Sequence, residues 1–363
     1  MGAARPSLPV RKAAITHISS DLATQISMTE PFASDGIDGQ RLLDLYRRMV
    51  LSRTLDERVW MLNRQGKAAI VASAQGHEAA QMGSAAALRA GDDHFYIYYR
   101  DLAVLVGLGM TAKQIMLGFQ AKVGEPMSGA RQFPLHGGYP QLKVVNLSNV
   151  VGTQIPQAVG SALACKMRGQ NFVTICYFGD GAASVGDCHE GMNFAAIHKL
   201  PVIFFCENNK YAISVPLSKQ MAVDTIASRA EGYGMKGVVV DGTDATPVYE
   251  ATAEAAALAR AGGGPTLIEA VVERYLPHTS DDDDSRYRDK DELEEARKHD
   301  PLILLKERLM DGGILTEQIY EEYLREAKRE VDEATDYVEA LPYPEPNDFF
   351  EHVYAPPEDE SSQ

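Results

Sequence analysis

The apolar positions of this chain change period along its length, and the changes mark out its elements. From Gln40 to Arg64, Leu42, Leu43, Tyr46, Met49, Val50, Leu55, Val59 and Trp60 recur at the three-to-four-residue spacing of a helix with one buried face. Helices are also predicted from Gly76 to Leu88, Asp101 to Gly107, Thr111 to Phe119 and Thr153 to Gly169, the last rich in Ala and Gly. The pattern then shifts to short unbroken runs. Phe172–Phe178 and Pro201–Cys206 are β-branched and aromatic without alternation, as parallel strands buried on both faces require. Gly186–His198, between them, has the length and spacing of a crossover helix. Strands at Gly237–Val240 and Thr266–Val272 flank a further helix, Thr246–Arg260. Beyond Asp300 the chain turns helical and acidic, as Leu302–Met310 and Thr316–Ala340.

These elements describe an α/β domain over residues 39–300, a mostly parallel sheet flanked by helices. Residues 1–38, rich in Ser, Thr, Ala and Pro, read as a flexible N-terminal arm. Residues 301–363 read as a helical and then extended C-terminal region that packs on the domain or on a partner subunit. At 363 residues and 45% hydrophobic content the chain has room for one large core or two modest ones. With 35 basic against 51 acidic residues the net charge is −16, which disfavours nucleic acid as a partner. Cys165, Cys176, Cys188 and Cys206 form no Cys-x-x-Cys pair, and two lie inside predicted strands, so they read as buried thiols in a reducing compartment. No run is long enough to span a membrane, and no signal-peptide core is present. Met1–Ser20 lacks acid and carries Arg5, Arg11 and Lys12, but Pro6 and Pro9 break any amphipathic helix. A bacterial cytoplasmic protein is therefore expected before a mitochondrial-matrix one. Asn146-Leu147-Ser148 is read as a chance sequon.

A right-handed βαβ unit brings the ends of the two central strands to one edge of the sheet, where open parallel sheets bind ligands. At those ends stand Gly179-Asp180-Gly181-Ala182 and Glu207-Asn208-Asn209-Lys210-Tyr211. Asp180 supplies a carboxylate, Asn209 an amide oxygen and Tyr211 a main-chain carbonyl, a set suited to Mg²⁺ shared with phosphate oxygens. Gly179 and Gly181 let the backbone approach a phosphate closely. Gly-Asp-Gly alone is equally a tight turn; the paired Asn at the neighbouring strand end carries the cofactor reading. A P-loop is excluded, since no Gly-Lys-[Ser/Thr] opens the helix, and Ser184 stands where a dinucleotide fingerprint needs its third Gly.

The pattern resembles the diphosphate motif of thiamine diphosphate enzymes. With its neighbours it resembles, in order and over nearly the whole chain, the E1 α subunit of 2-oxo acid dehydrogenase complexes. The landmarks are Gly76-His77-Glu78-Ala79, Tyr99-Arg100-Asp101, Thr153-Gln154-Ile155-Pro156-Gln157-Ala158, Gly179-Asp180-Gly181-Ala182, Asn208-Asn209-Lys210-Tyr211-Ala212-Ile213-Ser214 and Pro277-His278-Thr279-Ser280-Asp281-Asp282. The resemblance implies a thiamine diphosphate-binding fold with Mg²⁺ on Asp180, Asn209 and the Tyr211 carbonyl. It places Tyr98, Tyr99, Arg100, Ser148, Asn149, Val150, Gly179, Gly181, Ala182 and His278 against the cofactor. His278, on a mobile loop, would be catalytic, an imidazole of ordinary basicity near the reacting carbon. Ile70, Tyr99, His136 and Ser148 would meet the substrate. In mammalian branched-chain relatives a potassium ion sits at positions matching Ser148, Val150, Thr153 and Gln154, but Asn149-Val150-Val151 departs from their Ser-Pro-Leu.

Only the diphosphate-type domain is found in this chain. In the resembled family a β chain brings the second domain and its glutamate, giving an α2β2 tetramer that passes an acyl group to the lipoyl arm of an E2 acyltransferase. The stretch His278–Arg288 and Thr153–Gln157 are similar to the branched-chain (3-methyl-2-oxobutanoate) type; Glu207-Asn208-Asn209 is the form of pyruvate relatives, which leaves a pyruvate or acetoin E1 α subunit as the alternative. A non-catalytic scaffold is a rival from another class, opposed by the intact Asp180, Asn209 and His278.

Overall fold

A computed structural model describes residues 37–145 and 148–350. The arm up to residue 36, the tail from 351 and the sequon residues Asn146 and Leu147 lie outside the described residues. In chain order the elements are α1 (Gly39–Arg64), α2 (Glu78–Ala86), β1 (His94–Tyr96), α3 (Leu102–Leu108), α4 (Ala112–Phe119), β2 (Val144–Val145), α5 (Gln154–Met167), β3 (Thr174–Gly179), α6 (Gly186–Ile197) and β4 (Val202–Asn208). A small hairpin, β5 (Tyr211–Ala212) and β6 (Val215–Pro216), follows, then α7 (Ala230–Tyr233), β7 (Lys236–Asp241), α8 (Ala245–Arg260), β8 (Thr266–Val271), α9 (Lys290–Arg297), α10 (Pro301–Asp311) and α11 (Glu317–Glu339).

Six strands form one parallel sheet in the order β2-β1-β3-β4-β8-β7. Its central strands are dry on both sides, and their alternation divides the core. Ile175, Tyr177, Ile203 and Phe205 face a large cluster with α1, α2, α3, α4 and α8. Cys176, Phe178, Val202, Phe204 and Cys206 face a second cluster under α5 and α6. Each face is thus covered by helices, which is why these strands read as unbroken apolar runs. The four cysteines are free and buried, and burial pushes the Cys176 and Cys206 thiols well up.

The helices past residue 300 join the larger cluster through Leu305, Leu309, Ala327, Val331 and Val338, packed along α1. Ile37, read as part of the arm, is buried in that core, and Asp38 caps α1 by accepting from the Arg41 amide at 2.7 Å. Among the described residues no helix is long and apolar enough to cross a membrane.

The strand order sets the site. From β1 the chain moves outward to β2, whereas from β3 it moves the other way to β4, so the sheet switches direction between β1 and β3. At such a switch point the crossovers leave on opposite faces and a crevice opens beyond the strand ends.

Candidate functional site

A cleft of about 420 Å³ occupies that crevice. One wall is the pair of strand ends: Gly179, Asp180, Gly181 and Ala182 after β3, and Asn209, Tyr211, Ala212 and Ile213 after β4. The other is made of Tyr98, Tyr99 and Arg100 after β1, with His278 from the loop after β8. Ser148, Asn149, Val151, Gly152 and Gln154 close a third side.

The strand-end wall follows from register. Gly179 pairs with Glu207, so Asp180 and Asn209 leave the sheet side by side, 2% and 5% exposed. Asp180 accepts from Gln220 Nε2 at 2.6 Å; burial raises its pKa, while Gln220 and the more distant Arg274 and Arg100 oppose the rise. Asn209 is fixed at both ends of its amide, Nδ2 3.2 Å from His77 Nε2 and Oδ1 accepting from the Tyr211 amide at 3.3 Å. Lys210 (φ 71°) and Ile213 (φ 57°) take the left-handed backbone region, a strained choice for Ile that bends the chain sharply beyond Asn209. The Tyr211 ring lies beneath the guanidiniums of Arg288 and Arg274, and its hydroxyl donates to Glu292 at 2.8 Å. A Cβ at Gly181 would come within 2.9 Å of the Ala212 Cβ, so the close approach there needs Gly.

The loop wall is assembled from distant segments. Arg100 is 1% exposed; Nη1 donates to the Ser73 carbonyl at 2.7 Å and Nη2 to the His278 carbonyl at 3.1 Å, with His278 Nδ1 at 3.3 Å. Tyr99 lies between two imidazoles, stacked on His136 at 6.2 Å and edge-on to His278 at 5.9 Å. Tyr98 does not present its hydroxyl to the cleft: it donates to Glu207 at 2.8 Å, and Gln81 Nε2 donates to the same carboxylate at 3.0 Å. Burial and the charge of Glu207 push the neighbouring Asp101 carboxyl well above its ordinary range.

His278 differs from the expected solvated imidazole of ordinary basicity. Burial first, and then Arg100 and Arg274, push its pKa down to about 3, against the opposing pull of Asp282. It is neutral at pH 7, an acceptor before it is an acid. Its loop, expected to be mobile, also has internal structure. Asp282 accepts from the His278 amide at 2.9 Å and from the Tyr287 hydroxyl, Ser280 and Arg288 are buried, and Arg288 Nη1 donates to the Arg274 carbonyl.

Not every expected residue reaches the cleft. The Val150 side chain is 63% exposed and its carbonyl accepts from the Thr153 hydroxyl at 2.9 Å; Val151 and Gly152 line the cleft instead. Ile70 is half-buried outside the lining, and His136 touches the cleft only through Tyr99. In the other direction, Arg274 escaped the sequence reading. It is 1% exposed, bonded through Nη2 to the Ile213 carbonyl at 3.1 Å and the Tyr287 hydroxyl at 3.0 Å, with Nε and Nη1 unpartnered. The strand-end rule that selected Asp180 and Asn209 also selects Arg274, three residues beyond β8. Gln220 carried no comparable signal.

Among the described residues, Arg100 Nε, Arg274 Nε and Arg274 Nη1 are buried donors with no hydrogen-bond partner. Burial and then the charge of Arg100 hold the Arg274 guanidinium below its ordinary pKa, a cost that a nearby anion offsets. Among the described residues no three His, Cys, Asp or Glu side chains converge to hold a metal on their own. Asp180 and Asn209 therefore fit an ion that takes its remaining oxygens from a bound ligand. A buried guanidinium beside one carboxylate and one amide at a switch point makes this an α/β protein whose cleft suits an anionic ligand.

The chain belongs to the dehydrogenase E1 component family, whose sequence model matches residues 46–347. It is 50% identical over 320 residues, 88% of this chain and 97% of the other, to the 2-oxoisovalerate dehydrogenase subunit alpha of Bacillus subtilis. It is 40% identical over 311 residues, 86% of this chain and 82% of the other, to the 3-methyl-2-oxobutanoate dehydrogenase subunit alpha of Mycobacterium tuberculosis. The human mitochondrial 2-oxoisovalerate dehydrogenase subunit alpha is 39% identical over 331 residues, 91% of this chain and 74% of its own length.

Proposed function

We propose that this chain is the α subunit of a thiamine diphosphate- and Mg²⁺-dependent E1 that decarboxylates a branched-chain 2-oxo acid. It would act with a β subunit in an α2β2 tetramer and pass the acyl group to the lipoyl arm of an E2 acyltransferase, in a bacterial cytoplasm. The observation that carries the reading is the meeting of Asp180 and Asn209 with the incompletely paired, buried Arg100 in one cleft, backed by a second buried guanidinium, Arg274, bonded to the lining residue Ile213. The names of the relatives supply the substrate class.

Asp180, Asn209 and the carbonyl of Tyr211 would hold the metal, and Gly181 admits the diphosphate close to the backbone. Arg100 offers that anion a planar guanidinium already oriented by two carbonyls, and Arg274, buried behind Ile213, adds positive charge nearby. When bound, thiamine diphosphate supplies the carbon nucleophile and the electron sink for cleavage next to the 2-oxo group. Burial first and then the two arginines hold His278 below its ordinary pKa, and an anion beside Arg100 offsets the arginine part of that depression. Tyr99, set between His136 and His278, shields the reacting side of the cleft.

A pyruvate-type activity is the second reading, resting on Glu207-Asn208-Asn209; Glu207 is here buried and tied to Tyr98 and Gln81 rather than free for a ligand. The test is CO₂ release from 3-methyl-2-oxobutanoate and from pyruvate by the chain with its β partner. The expected result is a higher kcat/KM on the branched substrate and no activity of the chain alone. Preference for pyruvate would favour the second reading; turnover by the chain alone would overturn the shared-site reading.

A further inference from the structure

Asp56 is the buried group whose cost packing explains least. It stands inside α1, 1% exposed, and makes no ion pair among the described residues. A lone buried carboxylate is expensive, and Asp adds nothing to a helix interior. Its oxygens instead gather three donors from the segment after Val71: the Ser73 hydroxyl at 2.7 Å, the Ala74 amide at 2.8 Å and Gln75 Nε2 at 3.0 Å. All three partners donate, so the position calls for a group that only accepts.

The segment so gripped faces the cleft machinery on its other side. The Ser73 carbonyl takes Arg100 Nη1 at 2.7 Å. Two residues earlier, Val71 exchanges two bonds with the His278 loop, accepting from the Ser280 amide at 2.8 Å and donating to the Ser280 hydroxyl at 3.2 Å. Arg100 is then aimed by two carbonyls, Ser73 and His278, and both belong to segments that converge on the same strap.

We propose that Asp56 is a positioning residue for the anion-binding guanidinium of Arg100, acting through the Ser73 carbonyl. The inference rests on the reading of the cleft as a diphosphate site. Asp56→Asn turns an amide N–H toward groups that already donate, which lets the Ser73–Gln75 strap shift and Arg100 with it.

The assembled α/β complex is titrated calorimetrically with Mg²⁺–thiamine diphosphate and with Mg²⁺–inorganic diphosphate. Asp56→Asn is expected to weaken both by a common factor of about ten, the low end of what losing a partner that orients a primary contact does. Cofactor KM should rise by more than kcat falls. Ser73→Ala, a milder change that keeps the carbonyl, should shift both affinities the same way by less, and serves if Asp56→Asn does not assemble. Asp93, also buried, accepts from the Arg89 and Val173 amides and from Arg260 at the far edge of the sheet. Asp93→Asn should lower the unfolding midpoint without changing either affinity. Wild-type affinity in Asp56→Asn, or equal weakening by Asp93→Asn, overturns the proposal. A wild-type complex that binds neither ligand removes the diphosphate reading and this inference with it.

Discussion

Asp180 and Asn209 stand on neighbouring strands locked residue by residue, Gly179 opposite Glu207 and Phe178 opposite Cys206, above two dry core clusters. Arg100 and His278, across the cleft, are 178 residues apart in sequence and are joined by a few hydrogen bonds through Ser73, Val71 and Ser280. The first wall is held by burial of Phe178, Phe204 and Phe205, each worth about 3–5 kcal/mol against truncation to Ala. The second is held by contacts worth about 0.5–1.5 kcal/mol apiece. Asp180 and Asn209, the proposed metal ligands, therefore sit on the stiff side, and His278, the proposed proton carrier, sits on the side that opens at lower cost.

If that division is right, substitutions on the two walls separate turnover from metal-linked binding. The largest effect is expected for His278→Ala, which should lower turnover of the assembled enzyme by about 10²–10⁴ at saturating cofactor. Cofactor affinity should change far less, and stopped-flow turnover beside a binding titration reads both. Near-wild-type turnover would return His278 to a purely structural role.

Next is Asp180→Asn on the stiff wall. Losing one charge-assisted metal contact costs about 1.5–3 kcal/mol, so cofactor affinity should fall roughly tenfold to a hundredfold, and most at low Mg²⁺. An affinity that does not depend on Mg²⁺ in either protein would break the assignment.

A smaller effect is expected for Ser280→Ala, which removes one bond between the loop and Val71. About 1 kcal/mol of local stability is at stake, enough for a several-fold rise in tryptic cleavage after Arg286. Mg²⁺ and thiamine diphosphate should slow that cleavage in the parent protein, and equal rates with and without them would count against a cofactor-coupled loop.

The last expected effect concerns pH. The folded His278 pKa lies below its unfolded value, so between about 6.5 and 3 the unfolded chain binds the extra proton. Its contribution to stability is fully present above the unfolded pKa and is lost as pH falls through that window, by at most about 1.4 kcal/mol per unit. Urea unfolding at pH 7 and pH 5 should show a shallower loss for His278→Gln than for the parent protein.

The sheet centre was readable because Thr174–Phe178 and Val202–Cys206 are unbroken β-branched and aromatic runs, a pattern that surface strands do not show. The crossover helix between them, and hence the shared edge for Asp180 and Asn209, followed from the chirality of parallel connections. Three-residue β1 and two-residue β2 were invisible, since no periodicity can be read from so few positions. Helix α9 escaped as well, because Leu293 and Ala296 are its only apolar residues. Residue-level errors had the same origin. Val150 and Val151 are equivalent in composition, and only the turn between them decides which side chain faces the cleft.

From the sequence alone, then, came the α/β class, the two central strands, the helices that cover them and the placing of Asp180 and Asn209 at their ends, all consequences of local pattern and strand chirality. The tertiary structure decided what surrounds those side chains: the burial of Arg100 and Arg274 with donors to spare, the neutrality of His278 beside Arg100, the diversion of Tyr98 to Glu207 and the grip of Asp56 on the Ser73 strap. Charge, burial and hydrogen-bond partnership depend on which distant segments meet, and one-dimensional spacing carries no record of that.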